Sequence, residues 1–408
     1  MIVETRPLWT LTSLNDESLP DTTPGGYTFD YVDISNVTEG HISDELEAYA
    51  FRDAPSRARR VARPDDVIIS TVRTYLRAIA RVGETNGPTV YSTGFAVLRP
   101  DRELVDPRYI SFVLSSRHVM DEIIATSVGV SYPAIQGSAL HRMRVPYCSR
   151  EKQAAIVSYL ERETAEMDSV LAKMDLLGEA LRERARSVQT SVVFGLAAGQ
   201  RHSAADAHSP LSGIPEHWDR TKFGYDFTES TERNGDDPPG PLLSISEYRG
   251  VELNTRTDGQ QASLDVSKYR VVRPGQLAAN MMWLNHGGLG VSSLTGYISP
   301  DYKAFWISDQ FEPRYVHHLF RSSRYIDYFA AIATGVRPNA QRVTKTVLDA
   351  TPVPLPPLDE QIRIADELDE ATARVNAMLA KVADLKSLLL ERRAALITDV
   401  VTGKKEVA

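Results

Sequence analysis

The feature that most constrains this chain is an internal echo. Residues 106–120 read DPRYISFVLSSRHVM, and residues 312–326 read EPRYVHHLFRSSRYI, an offset of 206. VPYCSREKQAAI at Val145 matches VPLPPLDEQIRI at Val353, and ERARSVQTSVVFG at Glu183 matches ERRAALITDVVTG at Glu391, both at an offset of 208. Upstream, VARPDDVIIS at Val61 aligns with VVRPGQLAAN at Val271, an offset of 210. Order is kept, and each offset is about half of the 408 residues. Such a period is far too long for a solenoid and long enough for each copy to bury its own core. The chain is therefore expected to fold as two related lobes.

The first part of each copy reads as short β segments. DDVIIS, TGFAVL, LLSIS and YKAFWIS are rich in β-branched and aromatic residues. Gly25-Gly26, Asn86-Gly87 and Gly287-Gly288 punctuate them. Pro107 and Pro313, each after an acidic residue, suit the first turn of a short helix.

The second part of each copy reads as one long helix. Positions spaced alternately four and three apart carry apolar residues at Leu160, Met167, Leu171, Met174 and Leu181, and again at Leu368, Val375, Leu379, Val382 and Leu389. That is a heptad seam, and its breaks coincide: Thr164 aligns with Thr372, and Gly178 with Lys386. Gly195 and Gly403 stand where glycine caps a helix. Two copies related by a two-fold axis would run their helices antiparallel. The expected fold is α+β: two pseudo-symmetric mixed α/β domains joined by two long antiparallel coiled-coil helices. The expected boundaries are 1–148 for the first domain, 149–196 for the central helix, 197–210 for a polar connector, 211–356 for the second domain and 357–403 for the C-terminal helix.

Composition narrows the function classes. Net charge is −8, which argues against coating nucleic acid by bulk electrostatics but leaves room for a reader with local basic patches. Cys148 is the only cysteine, which excludes an internal disulfide and a cysteine-based zinc site. The opening residues carry no basic stretch followed by an apolar one, and no uncharged apolar run reaches 18 residues, so neither a signal peptide nor a membrane span is expected. A cytoplasmic location is the expectation. No GxxxxGK[ST] loop is present. NGDDPPG at Asn234 has Gly240 where an amino-methyltransferase motif needs an aromatic residue, and it reads as a turn. Asp301 and Lys303 lack a second carboxylate for a nuclease metal. His317 and His318 are adjacent, so on a helix they cannot share a metal and read as surface or boundary residues.

PLPPLDEQIRIADELDE leading into a long helix, its weaker counterpart VPYCSREKQAAIVSYLE, and GIPEHWDRTKFG opening the second domain resemble the specificity subunits of type I DNA restriction–modification systems. DDVIISTVRTYLRAIA with STGFAVLRP, and GQLAANMMWLNHGGLG through DYKAFW, resemble two kinds of target recognition domain. The first copy has no clear GIPEHW counterpart, which leaves the start of its domain open. The resemblance implies a subunit without catalytic activity that reads a bipartite, asymmetric sequence in double-stranded DNA, one domain per half-site. It implies that the helices set the unread spacer and dock two methyltransferase subunits, and that restriction subunits join the full complex. No cofactor is expected in this chain; S-adenosylmethionine and ATP belong to the partner subunits.

Candidate DNA contacts follow from side-chain chemistry. Arg57, Arg59 and Arg60 lie in an arginine-rich stretch of an acidic chain and can hold phosphates. The next loop offers Ser70, Thr71, Arg73, Thr74, Tyr75 and Arg77, and arginine can bind guanine O6 and N7 together. The aligned loop of the second copy offers Asn280, Met282, Trp283, Asn285 and His286, with asparagine suited to adenine and Trp283 equally suited to a core. A second loop after each DPRY or EPRY helix offers Tyr132 and Gln136, and Arg337, Asn339, Gln341 and Arg342. Two other classes stay open: a coiled-coil adaptor that never touches DNA, and a fused nuclease or methyltransferase.

Overall fold

The computed structural model describes residues 4–196, 209–235, 237–246, 249–255, 265–335 and 342–407. Two compact units emerge: residues 1–175 with 383–408, and residues 176–382.

The same sheet recurs in both. In the first unit four antiparallel strands stand in the order Thr12–Leu14, Phe95–Pro100, Val67–Ser70, Ile79–Arg81. In the second unit the order is Phe227–Ser230, Lys303–Ile307, Leu277–Ala279, Leu289–Val291, again antiparallel. Side chains alternate across a strand, and both faces are buried. Val67 and Ile69 enter the core shared with the helices, while Ile68 enters a separate cluster with Phe95 and Val97. Leu277, Ala279 and Phe305 repeat the first assignment, and Ala278 and Ala304 the second. This explains why VIIS is apolar throughout rather than alternating.

The outer layers differ. The first unit adds a second four-stranded sheet, ordered Glu47–Ala50, Thr28–Val32, Thr89–Ser92, Ala58–Arg60. The second unit has instead two two-stranded ribbons, Leu243–Ser246 with Gly250–Leu253 and Arg270–Val272 with Gly296–Ile298. A further ribbon is common to both: Glu4–Pro7 pairs with Arg144–Tyr147, as Asp219–Lys222 pairs with Pro352–Leu355. Glu4–Pro7 is thus the structural counterpart of Asp219–Lys222.

The DPRY and EPRY motifs start helices Pro107–Ser115 and Pro313–Phe320. Tyr109, Ile110, Val113 and Leu114 form the buried stripe of the first; Tyr315, Val316, Leu319 and Phe320 form that of the second. Both starts are fixed by the same side chain. Gln153 is fully buried; its Oε1 accepts from the Asp106 N–H at 2.8 Å, and its Nε2 donates to Cys148 O at 2.8 Å and Leu104 O at 3.3 Å. Gln361, 208 residues on and also fully buried, accepts from the Glu312 N–H at 2.9 Å and donates to Pro356 O and Gln310 O, each at 2.9 Å. One glutamine at the start of each long helix therefore satisfies three backbone groups that burial would otherwise leave unpaired.

The long helices are Arg150–Val193 and Leu358–Val401, 44 residues each, about 66 Å at 1.5 Å per residue. Within the first unit they pair antiparallel: Lys405 meets Tyr159, Arg393 meets Asp168 at 3.2 Å, and Lys386 meets Asp175. Leu160 packs with Ile397, Val400 and Val401. Within the second unit Val193 packs with Ile364, Ala365 and Leu368, and Gly178 faces Leu379. Of the seam residues, Leu160, Met167 and Leu368 are buried, while Leu171, Met174, Leu181, Val375, Leu379, Val382 and Leu389 are half-buried. Gly195 ends the first helix at φ +60, with Leu196 N–H donating to Ser191 O and Gly195 N–H to Val192 O, the paired bonds of a Schellman cap. Of the connector 197–210, residues 197–208 lie outside the described residues.

Candidate nucleic-acid interface

In each unit the fold brings together two candidate loops that are far apart in sequence. In the first, Ile135 N–H donates to Thr71 O and Arg73 N–H to Pro133 O, both at 2.8 Å. In the second, Val343 N–H donates to Met281 O at 3.1 Å. The second loop of each pair is closed by a narrow two-residue ladder, Val128 with Ala134 and Thr334 with Arg342. In the described residues of both units the two loops are thus tied backbone to backbone, and their sequences differ.

In the first unit, Arg73 and Arg77 flank a 3-10 turn at Thr74–Leu76, and both adopt the left-handed conformation, at φ 51. Such a backbone is uncommon for residues other than glycine and is held here by inward hydroxyls. Ser70 Oγ donates to Val72 O, Thr71 Oγ1 donates to Gly94 O at 2.8 Å, and Thr74 Oγ1 shares a 2.8 Å hydrogen bond with Ser127 Oγ. Ser70 and Thr74 are buried, so the expectation that they contact DNA is corrected: they shape the loop. Arg77 is committed to Asp121 at 2.8 Å. What faces outward is Arg73, with its guanidinium over the Tyr132 ring at 4.8 Å, together with Tyr75, Leu76, Val128 and Val130. Gln136 is exposed at the start of helix Gly137–Arg142.

The arginine group divides. Arg57 is exposed and joins the loop through the 92–94 turn, its carbonyl accepting from Thr93 N–H while Thr71 N–H donates to Gly94 O. Arg59 lies over Phe51 at 4.7 Å and pairs loosely with Asp21 at 3.7 Å. Arg60 points to Ser18, its buried Nε has no hydrogen-bond partner, and burial pushes its guanidinium below the ordinary value. Adjacent residues of a strand face opposite ways. Arg59 and Arg60 in strand Ala58–Arg60 therefore project from opposite faces of the sheet.

In the second unit Met282, Trp283 and His286 are exposed, and Asn280 and Asn285 are half-buried. Trp283 sits 5.0 Å from the His286 ring and is not a core residue. Asn280 Oδ1 accepts from Met282 N–H at 3.1 Å, and Arg321 donates to Gly287 O and Leu289 O, bracing the loop from behind. Arg342 is exposed; Arg337, Asn339 and Gln341 lie outside the described residues.

Of the histidine pair, His317 is half-buried, as a boundary residue, and His318 is buried, which corrects the expectation for that one. His318 is buried with Nε2 2.7 Å from Asp369, and His317 Nδ1 accepts from Val291 N–H at 3.2 Å. Burial pushes His317 down to about 3, so it stays neutral. They are drawn inward because the EPRY helix lies against strand Leu289–Val291 and the second long helix, which its sequence alone does not reveal. Lys303 pairs with Glu229 at 2.7 Å. Among the described residues no group of three or more His, Cys, Asp or Glu is placed to hold a metal, and no helix is long and apolar enough to cross a membrane. Sequence reasoning missed the apolar members Leu76, Val128 and Val130, which carry no motif. It also missed the glutamine pair, although the alignment already placed Gln153 opposite Gln361.

No family model matches the chain. It is 20% identical to the specificity subunit of the type I restriction enzyme StySPI from Salmonella potsdam, over 93% of this chain and 87% of that one. It is 29% identical to the EcoKI specificity subunit from Escherichia coli over 22% of this chain and 19% of that one. Among solved structures, a chain from work on complex assembly and conformational transition of the type I R-M system matches with a TM-score of 0.66 at 22% identity, covering 99% of this chain and 98% of that one. In sequence this chain thus resembles the specificity subunits of type I restriction enzymes, and its fold is similar to that of the solved chain along nearly its whole length.

Proposed function

We propose that this chain is the DNA sequence-recognition subunit of a type I restriction–modification complex and carries out no chemistry itself. One observation supports the reading: one central four-stranded sheet with its flanking ribbon and helices occurs twice, and each copy ties together two loops whose sequences differ between the copies. A conserved frame with divergent loops suits a target in two unlike halves. Domain 1–148 reads one half-site and domain 211–356 the other. Phosphate contacts fix register, and Arg73, Tyr132 and Gln136, or Asn280, Trp283 and Arg342, reach base edges.

The long helices dock two methyltransferase subunits. Leu385, Leu388, Leu390 and Val170 are exposed on the helices of the first unit, and Leu176, Leu177 and Met378 on those of the second, apolar side chains that suit a partner surface. S-adenosylmethionine and ATP bind the partner subunits, restriction subunits complete the assembly, and the complex works in the cytoplasm.

The test uses the complex with its methyltransferase subunits. Methylated adenines are mapped to find the target, and affinity is measured for targets with single base changes. Arg73→Ala should flatten the mismatch penalties, about 1–3 kcal/mol each, in one half only, and Arg342→Ala in the other. Equal relaxation of both halves by either change would refute one half-site per unit, and methylation without sequence preference would refute the function.

A further inference from the structure

Resting on that reading, we infer that the hairpin Val128–Ala134 enters the major groove and that Val130 at its tip packs on the C5-methyl group of a thymine in the target. The hairpin is closed by two bonds, Val128 N–H to Ala134 O at 2.9 Å and Ala134 N–H to Val128 O at 3.0 Å. Gly129, at φ +120, turns the chain where a Cβ would lie 3.1 Å from Tyr132 O. The hairpin is anchored at its base by Arg73 N–H to Pro133 O and Ile135 N–H to Thr71 O. At its tip Val130 is 102% exposed, Val128 80% and Tyr132 65%.

A valine held wholly in water at the tip of a braced hairpin contributes nothing to the core. Exposed apolar side chains grouped on one element mark a contact surface, and Tyr75 and Leu76 are exposed on the loop hydrogen-bonded to this one. The groove follows from the position of the methyl. A loop closed by one β-bridge is narrow enough for the major groove, about 12 Å wide, and the thymine methyl, which lies in that groove, is the one apolar group that the base edges present. Arg73, stacked on Tyr132 beside the tip, supplies a cation that can bond a neighbouring guanine or phosphate. The side chains therefore combine one polar and one apolar contact on adjacent base pairs.

The experiment replaces target thymines one at a time with deoxyuridine, which removes only the methyl and leaves pairing and the minor groove intact. The probe is duplex DNA carrying the mapped target, bound by the complete methyltransferase complex. At one position the wild-type complex should lose about fourfold in affinity, the loss expected for one buried methyl. The Val130→Ser complex should bind the thymine target about as weakly and be indifferent to deoxyuridine there. A wild-type complex unaffected at every position, or a Val130→Ser complex as sensitive as wild type, overturns the inference while leaving sequence recognition in place. Loss of methyltransferase-subunit assembly in Val130→Ser also overturns it, because the hairpin would then face protein. A complex with no sequence preference instead sinks the function proposed above.

Discussion

Replacing Gln153 with methionine keeps its volume and removes its amide, which isolates the hydrogen bonds at the start of the DPRY helix. Gln153 is fully buried, so water cannot replace the lost partners. Two good bonds disappear, from Asp106 N–H and to Cys148 O at 2.8 Å, with a longer one to Leu104 O at 3.3 Å. A buried backbone group left unpaired costs about 1–3 kcal/mol. Two such groups and a weaker third give a loss of about 3 kcal/mol, a sizeable share of the roughly 5–15 kcal/mol that holds a domain folded. Native-state hydrogen exchange at the Asp106 amide, with thermal unfolding of the chain, measures it; a 3 kcal/mol loss speeds exchange by about two orders of magnitude. Gln361→Met is the internal control, because Gln361 makes the same three bonds to Glu312, Pro356 and Gln310. A loss below about 1 kcal/mol at either glutamine would refute the argument that these bonds pin the helix starts.

Three further outcomes are expected. Leu160→Asp should destabilise by several kcal/mol, since Leu160 is fully buried and the carboxylate would be unpaired; Leu171→Asp, half-exposed, should cost clearly less, and equal losses in thermal unfolding would contradict the unequal burial along the seam. In binding titrations over a range of salt, Arg57→Ala should flatten the slope of log affinity against log salt by about 0.9, whereas Arg60→Ala, whose side chain turns toward Ser18, should leave the slope intact; the reverse pattern would place the DNA on the other face of the strand. The hydrogen bond from Arg99 holds the Glu17 carboxylate below its ordinary value. Its folded pKa is depressed, so its stabilisation is present above the ordinary carboxylate range and fades as pH falls through the folded value; Glu17→Gln should therefore shrink the acid-induced loss of stability, and an unchanged acid limb in unfolding measured against pH would reject the pairing.

The sequence by itself determined what is local or periodic. Proline after an acidic residue marked the helix starts at Pro107 and Pro313, because fixed φ and a missing N–H suit the first turn. Spacing of 3.5 marked two helices that span Arg150–Val193 and Leu358–Val401, and the repeat at offsets of 206–210 required two lobes with one frame. The tertiary structure decided which polar residues face water. Ser70, Thr74 and His318 share composition with true surface residues, but the carbonyls, hydroxyls and carboxylate that draw them inward come from Val72, Ser127 and Asp369, and all but the first are 51 or more residues away in the chain. Likewise Val130 reads as a core residue in any pattern, and it stands in water only because the Val128–Ala134 ladder lifts it there. Periodicity encodes the face an element turns to its nearest neighbours; which distant backbone closes over a loop depends on chain closure, and that information exists only once both units are folded.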